Sequence, residues 1–278
     1  MTAPALSRVI RAGLNLAPVR LRESAAVAKD FSGLLREQRT SLWIEGLSPA
    51  GAQAIRSRIL AALLSIPGFP SIRIDPRTDP GAIMEVILNR EYDYPGFIPD
   101  AGWTVLDIGA QHGEFAVLAS HLRGASAIAF EPMPNNFDVI QSNIELNRPN
   151  KIIPLRAALG STSGTISGST FGGMFIPGVF RFGSPRTRVT VQPLDDMDLG
   201  LTRRPESPTL MKIDVEGFEV EVLRGAQRFV RTFGPHIVVE VDETTCPSFL
   251  STLHGIRPYT LVGSRPKPRS TLLFLSPR

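Results

Sequence analysis

Between residues 107 and 131 the chain sets carboxylates and glycines at a spacing that suits a ligand carrying a ribose. Asp107-Ile-Gly109-Ala-Gln-His-Gly113 follows the short apolar run Thr104-Val-Leu-Asp-Ile108. An acid at a strand end, then two glycines ahead of a helix, makes a tight turn that a ligand can approach closely. The run departs from G-x-G-x-x-G, which disfavours a dinucleotide pyrophosphate. It also lacks the lysine that ends a phosphate-cradling loop. Glu131 comes 24 residues after Asp107, at the end of the next apolar run, where a carboxylate can accept both hydroxyls of a ribose diol. Asp214 and Glu216 follow a fourth strand, at the carboxyl edge where open α/β sheets bind ligands.

The elements that must position these residues alternate. Strands are expected at 104–108, 125–130, 152–155, 210–215 and 237–241. Helices are expected at 113–122, at 134–147, and across Val222, Leu223, Ala226 and Phe229. Strands alternating with helices of this length predict a parallel sheet covered on both faces, an α/β fold. Tyr259–Val262 and Thr271–Leu275 read as an antiparallel pair at the sheet edge. Residues 160–192, rich in Gly, Ser and Thr, read as an inserted hairpin with a mobile loop holding Phe171, Met174, Phe175, Phe180 and Phe182. Ahead of the sheet, apolar residues at 27–35 and 55–64 recur at helical spacing. Turn residues from Pro67 to Pro80 then mark a boundary. This divides the chain into a helical appendage, 1–80, and an α/β domain, 81–278.

The 278 residues carry 30 Lys+Arg and 26 Asp+Glu, a formal charge of +4. Twenty-six of the cations are arginine, which fits either an anionic partner or a genome rich in arginine codons. The charge is uneven: +5 over residues 1–90, −4 over 91–200 and +3 over 201–278. A single cysteine, Cys246, excludes an internal disulfide, and the four histidines show no metal-ligand spacing. The longest apolar run, Ile59–Leu64, is far short of the roughly 18 residues of a membrane span. The basic first 25 residues lack the apolar core of a secretory signal, so a cytoplasmic protein is expected.

Three blocks together resemble the FkbM-type methyltransferase family. They are Val105–Phe115, Ala129–Phe137 and Met211–Ala226, the last holding Lys212-Ile-Asp-Val-Glu-Gly217. Supporting matches lie at Pro154–Gly160, Val191–Asp196 and His236–Glu240. The resemblance runs over residues 85–276. It implies a Rossmann-like fold of seven strands, six parallel and the last antiparallel, with S-adenosylmethionine as cofactor. By analogy Asp107, Gly109 and Gly113, with Ala110 and Gln111 in the same turn, would border the amino-acid and sulfonium part. Glu131 would hold the ribose, Asn136 would lie near the adenosine, and the turn with Ala157 would pass the adenine.

Methyl transfer is an in-line displacement, and a hydroxyl acceptor must also lose a proton to a nearby base. The candidates are Asp214, Glu216, His112 and Glu240, in falling order. Glu219 and Glu221 read as a solvated helix face. Asp195, Asp196 and Asp198 form an acidic run, but the family pattern makes it a helix start, where acids favour the dipole; no metal is expected. The acceptor implied is a hydroxyl of a sugar, glycan or secondary metabolite. The alternatives are a nucleic-acid methyltransferase, for which no base-stacking tetrapeptide follows the fourth strand, and a non-catalytic scaffold. No nucleic-acid partner is expected, and a homo-oligomer is left open.

Overall fold

Apolar runs without polar alternation are satisfied as strands covered on both faces, and the computed structural model places them so. It describes residues 72–75, 77–148, 151–171, 174–177, 186–201 and 207–278. The helices expected near 27–35 and 55–64, with Phe180 and Phe182, lie outside the described residues. The chain divides into a unit ending at Glu91 and a second from Tyr92 to Arg278. In the first, Asp75 closes a turn by accepting the Arg77 amide at 2.8 Å and the Arg77 Nε at 3.0 Å. A short helical stretch, Pro80–Ala82, then runs into Ile83–Leu88.

Along the second unit run β1 (Thr104–Ile108), α1 (Glu114–Val117), β2 (Ser126–Phe130), α2 (Pro134–Leu146), β3 (Ile152–Leu155) and β4 (Ala158–Leu159). Next come β5 (Gly164–Phe171), β6 (Met174–Pro177), β7 (Arg186–Gln192) and β8 (Thr209–Ile213). The last are α3 (Glu219–Arg224), α4 (Gln227–Phe233), β9 (His236–Val241), α5 (Cys246–Ile256), β10 (Tyr259–Pro266) and β11 (Thr271–Pro277). The main sheet has seven strands in the order β10-β11-β9-β8-β1-β2-β3. β11 is antiparallel to both its neighbours, and the other strands run parallel, as the sequence resemblance implies. The turns after β1, β2 and β8 therefore open on one edge. In register Asp107 faces Lys212, and Ile108 lies between Phe130 and Ile213.

Leu106, Ile108, Met211, Ile213 and Val239 are fully buried beneath Val222, Leu223 and Val230 of the α3–α4 layer. Burying each such side chain contributes about 1.5–3 kcal/mol. Among the described residues no helix is long and apolar enough to cross a membrane.

Three expectations change. The β-type stretches of the hairpin expected in 160–192 pair as β5 with β7, antiparallel, but they belong to a wider second sheet in the order β4-β7-β5-β6, with β4 parallel to β7 and β6 antiparallel to β5. The helix expected across 222–229 is two helices broken at Gly225-Ala226. Gly225 packs so closely on β4's exit that a Cβ there would lie 1.9 Å from the Gly160 carbonyl oxygen. Asp195 gives α4 a start of its own, its carboxylate accepting the amides of Arg228 at 2.7 Å and Phe229 at 2.8 Å. Leu194–Asp196 is itself a single 3₁₀ turn, so the acidic run caps a neighbouring helix through Asp195 rather than opening one. Asp198 closes a turn by accepting the Gly200 amide at 2.9 Å.

Gly225→Ala should force the α3–α4 junction off β4 and cost about 2–4 kcal/mol, read as a lowered urea midpoint at unchanged slope. Wild-type stability would show that the contact is slack.

Candidate functional site

The turn after β1 is built from left-handed backbone: Gly109 has φ 79°, Gln111 φ 50° and Gly113 φ 82°. The Gly109 and Ala110 amides both donate to the Phe130 carbonyl, at 3.1 and 3.0 Å, which ties the turn to the end of β2. A Cβ on Gly109 would stand 1.9 Å from the Asp214 carbonyl oxygen, so glycine is required there by both conformation and contact. Asp107 is fully buried below this turn. One carboxylate oxygen accepts the Ala116 amide at 3.1 Å, and the other lies 3.2 Å from Lys212 Nζ. Asp107 therefore supports the turn from beneath and does not line the cleft, where the resemblance had it beside the amino-acid part.

Glu131 faces the cleft and is 5% exposed. It accepts the Gln111 amide at 3.0 Å, the Met133 amide at 2.9 Å and Asn136 Nδ2 at 3.3 Å. These contacts favour its charge, but burial outweighs them and pushes its carboxyl up to about 7. Gly109, Gln111, Glu131, Asn136, Ala157, Asp214 and Glu216 line one cleft, closed by apolar Phe130, Leu159 and Phe218. Of the other expected residues, Ala110, Gly113 and His112 stand outside its lining. The His112 Nδ1 lies 3.5 Å from Glu114 Oε1, its amide donates to Glu114 Oε2 at 3.3 Å, and its carbonyl accepts Asn143 Nδ2 at 2.8 Å.

On the opposite wall Asp214 Oδ2 accepts the Tyr92 hydroxyl at 2.8 Å and lies 3.8 Å from Lys212 Nζ. Tyr92 stands edge-on to Phe115, with ring centroids 5.3 Å apart. Nothing in the local sequence marks this residue, because its partner lies 122 positions away. Glu216 holds a left-handed φ of 56°, a strained conformation for a residue with a Cβ. Glu216 is exposed on the cleft wall, yet partial desolvation, then the charges of Asp214, Glu240 and Glu219, push its carboxyl up to about 7, with Lys267 opposing them. Glu240 is engaged elsewhere: it accepts Lys267 Nζ at 2.7 Å and Ser270 Oγ at 2.5 Å.

Glu219 is a correction. It is 2% exposed, not on a solvated face. Its side chain turns back on the loop to accept the Gly217 amide at 2.9 Å, and its second oxygen is buried without a hydrogen-bond partner among the described residues. Glu221 pairs with Arg224 one turn on, half-exposed.

The described cleft wall holds three carboxylates and no Lys or Arg. That balance repels a pyrophosphate and suits a ribose with a cationic sulfonium. Glu131 and Asn136 would hold the ribose side, and the Phe130 and Leu159 wall offers the apolar surface an adenine needs. Sheet order, the glycine turn after β1 and the acid after β2 are those of the Rossmann-like fold on which S-adenosylmethionine-dependent methyltransferases are built. The chain belongs to the FkbM methyltransferase family: the pattern of the methyltransferase FkbM domain matches residues 107–260. Its relatives include the hexuronic acid methyltransferase AglP of Haloferax volcanii, 30% identical over 152 residues, which are 53% of this chain and 59% of that protein. Among solved structures it is similar to the methyltransferase FkbM of Methylobacillus flagellatus KT, with 19% identity, 70% of this chain, 53% of that chain and a TM-score of 0.44. A methyltransferase of Pyrococcus furiosus is similar at 15% identity, with 84% of this chain, all of that chain and a TM-score of 0.46. The chain spans 59% of the length of AglP.

Ribose hydroxyls donate to the ionised carboxylate, so cofactor binding should draw a proton off Glu131. Affinity for S-adenosylhomocysteine should fall as pH drops below about 7, and calorimetry in buffers of differing ionisation heat should show proton release. Glu131→Ala should weaken binding by about 1–3 kcal/mol above that pH, and Glu131→Gln should abolish the pH dependence. Unchanged affinity in both variants would remove Glu131 from the site.

Proposed function

We propose that the protein methylates a hydroxyl oxygen of a sugar, glycan or similar polyhydroxylated small molecule, with Glu216 as general base. The observation that carries this reading is the placement of Glu216 on the cleft wall, opposite in role to Glu131, with a carboxyl pushed up to about 7. A base whose pKa lies near the working pH is both largely ionised and strong enough to take a proton as the new bond forms. The Haloferax relative is a hexuronic acid methyltransferase, which supports a sugar acceptor.

When bound, S-adenosylmethionine would supply an electrophilic methyl group, its sulfur keeping the C–S electron pair and leaving as the neutral thioether. The chain's own residues do the rest. Glu216 accepts the hydroxyl proton as the acceptor oxygen advances on the methyl carbon. Asp214, fixed by Tyr92 and Lys212, offers an acceptor for a neighbouring hydroxyl and so orients the sugar. Alignment of this kind supplies much of the rate in a displacement. This arrangement moves Glu216 ahead of Asp214 as the base. Glu240, held by Lys267 and Ser270, and His112, set against Glu114, fall behind both.

Labelled S-adenosylmethionine offered to fractionated lipid, glycan and small-molecule extracts should give a methyl ether on a hydroxylated product, identified by mass spectrometry. Glu216→Gln should lower that transfer by about 10²-fold while S-adenosylhomocysteine still binds. The wild-type rate should climb as pH rises through about 7, where Glu216 loses its proton. Full activity of the Gln variant, or transfer only to carboxylates or bases, would overturn the reading.

A further inference from the structure

Lys212 is a buried cation to which the transfer step assigns nothing directly. Its ammonium donates to the Gly109 carbonyl at 2.8 Å, lies 3.2 Å from Asp107 Oδ1 and 3.8 Å from Asp214 Oδ2, and stands 5.5 Å from the centre of the Tyr92 ring. Its side chain is 6% exposed. Sheet register explains the first two contacts. Lys212 faces Asp107 across the β1–β8 pair, so its stem runs along the sheet face and its head reaches the turn at the strand end. The other two contacts lie on the β8 side of the cleft, where Tyr92 also holds Asp214 by its hydroxyl.

A cation that only neutralised Asp107 would need no bond to the Gly109 carbonyl and no approach to Asp214. Both turns that wall the cleft end at this one ammonium, and they touch each other: the Asp214 amide donates to the Ile108 carbonyl at 3.1 Å.

We propose that Lys212 is a positioning residue, a latch that holds the Gly109 turn on the cofactor side in register with Asp214 on the acceptor side. The inference rests on the cleft assignment above, including Asp214's place on the acceptor wall. Through the ammonium the carbonyl of Gly109 is fixed, and with it the peptide plane that joins Gly109 to Ala110 and leads on to Gln111 in the cleft wall. Tyr92 is the second point of the same latch, because it fixes the carboxylate that Lys212 attracts.

The test separates a latch from a simple charge partner by measuring binding and folding on the same variants. Its readout is calorimetric affinity for S-adenosylhomocysteine, which is independent of which acceptor the enzyme proves to use. Lys212→Met alone leaves Asp107 buried without its cation, so both thermal stability and affinity should fall. Removing both members of a buried pair is far less damaging than removing one. The double variant Asp107→Asn/Lys212→Met should therefore recover most of the lost melting temperature. As a latch, Lys212 would still be missing, and affinity should stay about tenfold or more below wild type.

Tyr92→Phe changes no charge and should itself lower affinity by about threefold or more. Added to the double variant, it should cause less than about twofold further loss, because the latch is already open. A double variant that regains wild-type affinity together with its stability would show Lys212 to be only a counter-ion and would overturn the proposal. If neither Lys212 variant folds, Tyr92→Phe decides alone, and wild-type affinity in that variant overturns it.

Discussion

Where β1 and β8 end side by side, Gly109 sits so near the Asp214 carbonyl that a single added carbon would overlap it. That contact fixes how far apart the two turns can be, and the three carboxylates of the cleft hang from one or the other. Gln111 and, through the Phe130 carbonyl, Glu131 follow the first turn. Asp214, Glu216 and the helix start at Glu219 follow the second. The parallel register of Asp107 with Lys212 makes the contact reproducible, because a slip of one residue would send the lysine to the opposite face.

The cleft gathers negative charge, and the protein controls it by distributing hydrogen-bond donors unequally. Asp107 is met by a lysine and a helix amide. Glu131 is met by two backbone amides and an asparagine. Glu216, with its carboxylate neighbours, rises to about 7. Asp107 is thereby committed to the backbone beneath the cleft, while Glu131 and Glu216, both pushed up to about 7, face the cleft itself. The basic excess of the chain lies outside this centre, since residues 91–200 sum to −4. The overall charge therefore carries little information about what enters the cleft.

The parallel sheet could be read from sequence because β1, β2, β8 and β9 are nearly continuous apolar runs, each closed by a turn residue. The glycine turn and Glu131 were also readable, since both follow from local residue type at a strand end. What escaped was long-range. Tyr92 reaches Asp214 across much of the chain, and no pattern near it announces a partner. Glu219 sits in the alternation Glu-Val-Glu-Val, which looks solvated, but a helix start lets its side chain fold back onto the Gly217 amide. The family pattern puts Asp195 at a helix start, whereas its carboxylate serves a different helix, α4, that is adjacent only in space. The break at Gly225 depends on the Gly160 carbonyl, a contact between segments that no local pattern relates.

The antiparallel strand β11 lies between β9 and β10 although it follows both in the chain. Until it is made, β10 has no neighbour and the β9 edge stays bare. The two late strands form a hairpin whose ladder, Tyr259 with Pro277 through Pro266 with Thr271, is local and can close within about 1–10 μs. The pairing of β1 with β8, by contrast, must bring Thr104 to Thr209 across the whole second sheet. The pairs that form the cleft edge thus join segments far apart in the chain, whereas the cover for the β9 edge is made by the last strand. Insertion of the β11 ribbon then seals that edge, ending the period in which another chain's strand could add there.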